Sequence, residues 1–332
     1  MKIAMISESE FSVQGHGVHT AYIELVNAFK KRSDVELVVN TFGSADIRHF
    51  HTVGPYSLAH LLFGHGKKVV SAHIIPESLV GSLIGAKYWL PLARWYLRWF
   101  YNRADIVLAV SDETKMGLKS LGVKRPIEVF YNVIDTARYH RTVEQKAAAR
   151  HKLSIATDAW VVTSNGQVQP RKRVDTFVRL AQELPDMTFI WIGGIPFKKA
   201  AADYDLMKKT MDNAPDNARF TGVVSIDEVR DYFQASDVFI STSDQETFGI
   251  AIVEGASTGL PVVLRDIHDY DNTFREDALM CSEDEFVSCL QQLRTDKKLY
   301  DQYVAHSHDL AVRYDSVHGA ERLIEIYRNL VR

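Results

Sequence analysis

"DVFISTSDQETFGIAIVEGASTGLPVVLRD", residues 237–266, decides how this chain folds. "DVFISTS" (237–243) and "LPVVLRD" (260–266) are short apolar runs of the kind that form buried strands. A polar loop and a run of apolar and small residues lie between them. Strand, helix and strand at this spacing predict a mostly parallel sheet covered by helices. The spacing starts the helix near Thr247 or Phe248. Glu246 then stands at or just before its first turn, and Glu254 about two turns in, roughly 80° further round. The first backbone N–H groups of such a helix lack internal partners, and with the helix dipole they favour a phosphate or diphosphate. Gly249 lets the backbone approach a ligand closely. Two readings of the acids stay open. They grip hydroxyls on either side of a diphosphate, or Glu246 only assists the helix start while Glu254 is a half-wet side chain.

The same alternation runs through the rest of the chain. "KIAMIS", "VELVVNTF", "KKVVSAH", "ADIVLAVS" and "IEVFYN" read as strands in the first half, with "TAYIELVNAFKKR" as a helix. "EQKAAARHKL" (144–153) is charged and alanine-rich and reads as the passage between halves. Then "AWVVTSNG", "MTFIWIGG" and "ARFTGVV" read as strands, and "RVDTFVRLAQEL", "IDEVRDYFQAS", "EDEFVSCLQQLRTD" and the tail "HGAERLIEIYRNLVR" as helices. The fold class is α/β, with two Rossmann-like doubly wound domains. The expected boundaries are 1–140 and 141–314, with the helix at about 315–332 packing back on the first domain. Such sheets bind ligands at the carboxyl ends of their strands, and two facing domains would form a cleft.

Bulk composition narrows the function. The 332 residues are 46% hydrophobic and carry a net charge of −3, which gives no global drive toward nucleic acid. Two cysteines, Cys281 and Cys289, match no metal signature and fit a reducing compartment. The start "MKIAMISESE" lacks the apolar run of a signal peptide, and no stretch of about 20 uncharged apolar residues occurs. A cytoplasmic protein is expected. Acidic pairs at 203–205 and 269–271 are too ordinary to predict a metal, and no cofactor is required.

Three further constellations carry chemistry. In "SNGQVQPRKRVDTF" (164–177) a strand ends at a glycine, and Arg171, Lys172 and Arg173 precede a helix. This suits a diphosphate, or is a solvated basic turn; at most one or two of the three cations can face a site. In "SVQGHGVHTAY" (12–22) Gly15 and Gly17 follow a strand, but Thr20 breaks the dinucleotide fingerprint. A glycine turn near a phosphate or sugar remains. In "VVSAHIIPES" (69–78) His73 ends an apolar strand and either orients a substrate or is satisfied by the backbone.

Taken in order, these pieces resemble the retaining glycosyltransferases of family 4, which have the GT-B fold. The resemblance covers nearly the whole chain. "ETFGIAIVEGASTGLPVV" looks like that family's E-x7-E segment and the strand after it, and "FYNVIDTARYH" (130–140) like its Asn-Gly-Val-Asp segment. "GHGVHTAY" and "AHIIPE" resemble its glycine loop and histidine strand. The resemblance implies that Glu246 contacts the donor sugar, that Phe248, Gly249 and Ile250 meet the diphosphate or sugar through their backbone, and that Glu254 binds the ribose. It implies Lys172 on the diphosphate, Gly17 near the phosphate, His73 beside the reacting carbon and Val223 near the base. Two positions depart from the pattern. Gln167 stands where the family usually has Arg, leaving Arg171 or Lys172 to compensate, and Val133 stands in a glycine slot. Transfer with retention needs no enzyme nucleophile if the leaving diphosphate takes the acceptor's proton on the same face. Catalysis is then charge stabilisation and positioning.

Residues 78–105 have no acid before Asp105 and interleave Lys87, Arg94, Arg98 and Arg103 with Tyr88, Trp89, Trp95, Tyr96, Trp99, Phe100 and Tyr101. A helix lying in an anionic membrane interface and a core helix with outward arginines both fit. "GQVQPRKRVDTF", "FIWIGGIPF" and "VVLRDIHDY" resemble a narrower group of bacterial glycolipid synthases. That group adds a second hexose to monoglucosyl-diacylglycerol, making a diglycosyl lipid that can anchor lipoteichoic acid. The implied donor is UDP-glucose or UDP-galactose, the implied acceptor a glycolipid in an anionic membrane, and the implied location the inner face of the cell membrane. A polysaccharide or other lipid-linked precursor as acceptor, and a GT-B sugar-nucleotide epimerase, are the alternatives.

Overall fold

The structure is a computed structural model that describes residues 1–11, 17–76, 86–195 and 203–332, with only the backbone of Ala86 and Lys87. Gly15, and 78–85 of the aromatic–basic stretch, lie outside the described residues. The chain divides into two compact units. One runs to Asp135 and takes back Tyr314–Arg332, and the other is Thr136–Arg313.

The first unit contains β1 (Lys2–Ile6), α1 (Gly17–Lys30), β2 (Glu36–Val39), β3 (Ile47–Phe50), α2 (Pro55–Phe63), β4 (Lys67–Ala72), α3 (Ala86–Tyr101), β5 (Ile106–Ala109), α4 (Asp112–Leu121) and β6 (Ile127–Val129). Its six strands lie in the order β2-β1-β3-β4-β5-β6, every pair parallel. The order reverses between β1 and β3, where the carboxyl ends of strands open a crevice in such sheets. Both faces are covered, so β5, "IVLA", is buried along its whole length. β3, "IRHF", is equally buried although Arg48 and His49 are polar. Arg48 meets its desolvation cost by donating to the carbonyls of Thr41, Phe42, Gly43 and His65.

In the second unit, residues 144–153 are not a bare connection. They form α5 (Val143–Lys152), opened by a capping box between Thr142 and Gln145. Lys146 and Arg150 of this helix both pair with buried Asp237. The sheet follows: β7 (Val161–Asn165), α6 (Val174–Glu183), β8 (Thr188–Ile192), α7 (Tyr204–Asp212), β9 (Ala218–Phe220), α8 (Ile226–Ala235), β10 (Val238–Ser241), α9 (Ile250–Ser257), β11 (Val262–Arg265), β12 (Leu279–Cys281), α10 (Phe286–Thr295) and α11 (Lys297–Arg313). Strand order is β12-β11-β10-β7-β8-β9, again all parallel. This is the Rossmann order, and the switch point falls between β7 and β10.

The last helix, α12 (Ser316–Val331), packs in the first unit. Ala320, Leu323, Ile324 and Tyr327 share a core with Tyr22, Leu25 and Val26 of α1. Gly319 faces Val133, and a Cβ there would come within 2.7 Å of a Val133 methyl. The valine in the glycine slot of "NVID" is thus accommodated by a glycine on α12.

Candidate active site

The second unit gathers its charged groups at its switch point. Gly166, just past the end of β7, has φ +152°, and a short turn from Pro170 to Lys172 leads toward α6. After β10, residues 242–249 form a loop, and α9 begins only at Ile250. The expected start at Thr247 or Phe248 is corrected here. Gly249, in a left-handed conformation (φ +98°), turns the chain into the helix, so Glu246 lies in the loop and Glu254 one turn into α9. The relation of about 80° between the acids therefore does not apply. Gly249, at the N-cap position, brings no side chain to cap α9.

Loop and basic turn are tied together. The Asp244 N–H donates to the Arg171 carbonyl at 2.8 Å, and an Arg171 terminal nitrogen donates to the Gln245 carbonyl at 3.0 Å. Thr242 Oγ1 donates to the carbonyls of Lys172 and Arg173, and Arg265 Nε donates to the Thr242 carbonyl at 2.8 Å. Within this frame Lys172 Nζ pairs with Glu246, Arg171 lies 3.6 Å from the same carboxylate, and Ser243 Oγ donates to it at 2.9 Å. Glu246 is 8% exposed. Burial alone would raise its carboxyl, but Lys172 and Arg171 outweigh that and hold it below the usual carboxylate value. Burial pushes the Lys172 ammonium down, with Glu246 opposing. Two of the three cations face this point. Arg173, itself left-handed at φ 48°, turns away to Asp175, Asp244 and Glu283.

Glu254 is buried and accepts from Tyr139 Oη and Asn165 Nδ2, each at 2.9 Å. Gln167 accepts from Gln169 Nε2 at 2.5 Å, and Gln169 accepts from Arg171 Nε at 3.1 Å, so Gln167 is linked to Arg171 through one side chain. Phe248 is buried against Phe274, with ring centroids 5.4 Å apart. Ile250 is the first residue of α9, and Val223, beyond left-handed Gly222, is exposed. Asn165, Tyr139, Gln169, Ser243 and Asp269 were not singled out by sequence. Asp269, half-buried, accepts the Glu246 N–H at 2.7 Å. Tyr139, Asn165 and Asp269 meet their partners only through the fold, whereas Gln169 and Ser243 lie within three residues of theirs.

In the first unit, Gly17 opens α1 and is exposed. His73 follows β4, is 9% exposed, and lies with its Nε2 3.2 Å from His51 Nδ1. On α3, Tyr88, Leu92 and Trp95 are exposed at 92%, 66% and 63%, a stripe at helical spacing. Arg98 is exposed, whereas Trp89, Arg94 and Trp99 are half-buried. Trp99 packs against the core and carries the Arg103 guanidinium over its ring. The Lys87 side chain lies outside the described residues. No helix among them is long and apolar enough to cross a membrane. No group of three or more His, Cys, Asp or Glu among them could hold a metal.

Known proteins resemble this arrangement. The profile described as "Glycosyl transferases group 1" matches residues 160–296, and that of "Glycosyltransferase Family 4" matches 16–138. The chain is 34% identical over 276 residues to the alpha-galactosylglucosyldiacylglycerol synthase of Streptococcus pneumoniae, covering 81% of this chain and 74% of that one. It is 28% identical to the processive diacylglycerol alpha-glucosyltransferase of Acholeplasma laidlawii, covering 65% and 67%. Among solved structures, Anabaena HepE in complex with UDP-glucose shares the fold at a TM-score of 0.79, with 17% identity over 99% of this chain and 100% of that one. Sucrose-phosphate synthase from Thermosynechococcus elongatus matches at 0.81, with 15% identity and 99% of each chain. With two parallel Rossmann-like sheets and this degree of likeness to a curated synthase, the chain belongs to the family 4 glycosyltransferases of GT-B fold.

Proposed function

We propose that this enzyme moves a glucose or galactose from a UDP-sugar to a membrane glycolipid, monoglucosyl-diacylglycerol, with retention at the anomeric carbon. The observation that carries the reading is the buried Glu246 carboxylate paired with Lys172, beside the glycine-capped head of α9 at the switch point of a Rossmann sheet. The acceptor rests on the likeness to a diacylglycerol glycolipid synthase.

The chemistry follows from the parts. Lys172 and the N–H groups of Gly249 and Ile250 receive the departing diphosphate, on which negative charge grows as the glycosidic bond breaks. In the free protein Lys172 is held by Glu246, and a bound diphosphate competes for it. The carboxylate is thereby released to accept from donor-sugar hydroxyls. Gln167 and Arg171 support the diphosphate, and Phe248 backs the loop. Glu254, held by Tyr139 and Asn165, takes the ribose hydroxyls, and Val223 lies against the base. From the first unit, Gly17 serves the phosphate and His73 the transferred sugar. The acceptor attacks from the face the diphosphate leaves, and the diphosphate oxygen takes its proton. No metal has a step in this scheme.

Tyr88, Leu92 and Trp95 form the membrane face of α3. Their rings and side chain lie at headgroup level while Arg94, Arg98 and Lys87 meet anionic lipid. Trp89 and Trp99 stiffen the helix from its half-buried side.

The test is purified protein with UDP-glucose or UDP-galactose and anionic liposomes containing monoglucosyl-diacylglycerol. Lipid-dependent UDP release, with a new α-linked diglycosyl lipid, is expected. Conversion of the sugar nucleotide without acceptor would replace this reading with the epimerase. Trp95→Ser together with Leu92→Ser should abolish liposome co-sedimentation while leaving UDP binding intact. Unchanged sedimentation removes the membrane face from α3.

A further inference from the structure

Histidines crowd the carboxyl ends of β3 and β4 in the first unit. His49, His51 and His73 are 0%, 2% and 9% exposed. The His51 ring stacks on His73, with centroids 5.4 Å apart and planes at 26°, and His49 lies 4.3 Å away from His51. Tyr22 meets His51 edge-on at 5.4 Å. His51 directly follows β3, at the switch point of its sheet.

The hydrogen bonds fix where the protons sit. Both His49 nitrogens are engaged, Nε2 with Ser71 Oγ at 2.7 Å and Nδ1 with Tyr327 Oη at 2.6 Å. Among the described residues the His51 ring has one hydrogen bond, between its Nδ1 and His73 Nε2 at 3.2 Å. Its Nε2 is buried and has no partner among the described residues. Burial, reinforced by His49 and then His73, keeps the His51 ring neutral, so it holds a single proton. A proton on Nε2 would be a buried N–H with no acceptor, the rarer and costlier defect. A proton on Nδ1 leaves only a bare lone pair at Nε2 and donates to His73.

We infer that His51 is a positioning residue: its Nδ1–H donates to His73 Nε2 and holds His73 in the Nδ1–H tautomer. His73 then offers an N–H at its second nitrogen and has no lone pair to offer there. The consequence for transfer rests on the proposed role of His73. The tautomer does not.

The experiment uses the full chain labelled with 15N-histidine and long-range proton–nitrogen correlation spectra near neutral pH. Ring signals are assigned through single-histidine variants. His73 should show a pyrrole-type Nδ1 and a pyridine-type Nε2 in the wild type. His51→Asn places an amide N–H near the Nδ1 position and should keep that pattern. His51→Gln and His51→Phe remove it and should turn His73 to the other tautomer or a mixture. In the glycolipid assay, His51→Phe should lower kcat about tenfold, the value of one hydrogen bond, with KM for the UDP-sugar unchanged and with recovery in His51→Asn. A wild-type His73 protonated on Nε2, or a His73 spectrum untouched by His51→Phe, overturns the inference. If His51→Phe does not fold, the wild-type spectrum and the Asn–Gln contrast still decide. The spectra need no substrate. A correct tautomer in a protein that transfers no sugar therefore refutes the proposed function alone.

Discussion

The two units differ in the titratable groups they bury: histidines dominate in the first, paired charges in the second. Among the described residues, the first buries His19, His49, His51, His60 and His73 beside Glu24 and Arg48, and the second buries Arg150, Asp237, Glu246, Glu254, Arg265 and Asp277 but no histidine. The first keeps its histidines neutral and meets Arg48 with backbone carbonyls. Burial lowers His49 to about 3, His60 to about 4, and His51 well below its ordinary value. The second keeps its charges and cancels them, with Lys172 on Glu246, Arg150 on Asp237 and Arg313 on Asp277. A neutral ring can aim a hydrogen bond but holds no anion. A paired cation is already in place for one. The contrast matches the division of labour proposed above, in which the second unit receives the diphosphate.

Breaking the charge pair should have the largest effect. Lys172→Met leaves Glu246 buried with Ser243 and, as its remaining cation, Arg171 at 3.6 Å, which should destabilise the fold by ~3–5 kcal/mol and lower transfer by roughly 10³-fold. The double variant Lys172→Met/Glu246→Gln should recover most of the melting temperature and none of the activity. Thermal melts and kcat/KM on the same samples read both. If activity returns with stability, the pair is structural and the diphosphate is held elsewhere.

Acid separates the two strategies. Folded values of His49 and His51 lie below the unfolded value near 6.5, so their stabilising contribution is whole above about pH 6.5 and is lost as pH falls from there, for His49 toward about 3. For His49 this costs about 1.4 kcal/mol per pH unit, or about 2 kcal/mol by pH 5, and His51 adds in the same direction. His19 and His60 add in the same direction. The depressed carboxyl of Glu246 contributes stability above about pH 4.3 and loses it only below, as pH drops through its folded value. Between pH 6.5 and 5 the first unit should therefore loosen while the charge pair holds. Hydrogen exchange mapped by peptide resolves the units. Earlier exchange in 237–266 than in 47–73 would reverse the comparison.

The same physics sets what a sequence reader can see. Strands covered on both faces print as apolar runs, so "KIAMI", "IVLA" and "VFIS" were legible. β3 was not, because its buried positions include Arg48 and His49, whose carbonyl, serine and tyrosine partners lie elsewhere in the chain. The acids 246 and 254 were legible as a spacing. Their partners were not: Lys172 is 74 residues before Glu246, and Tyr139 is 115 before Glu254. The helix start was misplaced by two or three residues because Thr247 and Phe248 fit a helix as well as a loop. Only the left-handed backbone of Gly249 shows where the turn is made.

Two glycines sharpen the comparison at the smallest scale. Gly319 on α12 gives room: an added Cβ would meet Val133 methyls at 2.7 and 2.8 Å. Gly249 gives conformation: at φ +98° an L-residue is strained, while the nearest atom to an added Cβ, Ile252 Cδ1 at 2.7 Å, is the free end of a flexible side chain. Gly319→Ala should cost about 1–3 kcal/mol by overpacking, and Val133→Ala in the same chain should restore most of it. Gly249→Ala should cost about 1–2 kcal/mol, and Ile252→Val should restore little, because the strain lies in the backbone. Only the second glycine sits at a helix end assigned to the diphosphate, so Gly249→Ala should also weaken UDP binding in calorimetry while Gly319→Ala leaves it unchanged. Rescue of Gly249→Ala by Ile252→Val would make Gly249 a spacer like Gly319, and the turn at the head of α9 would then owe nothing to the left-handed backbone.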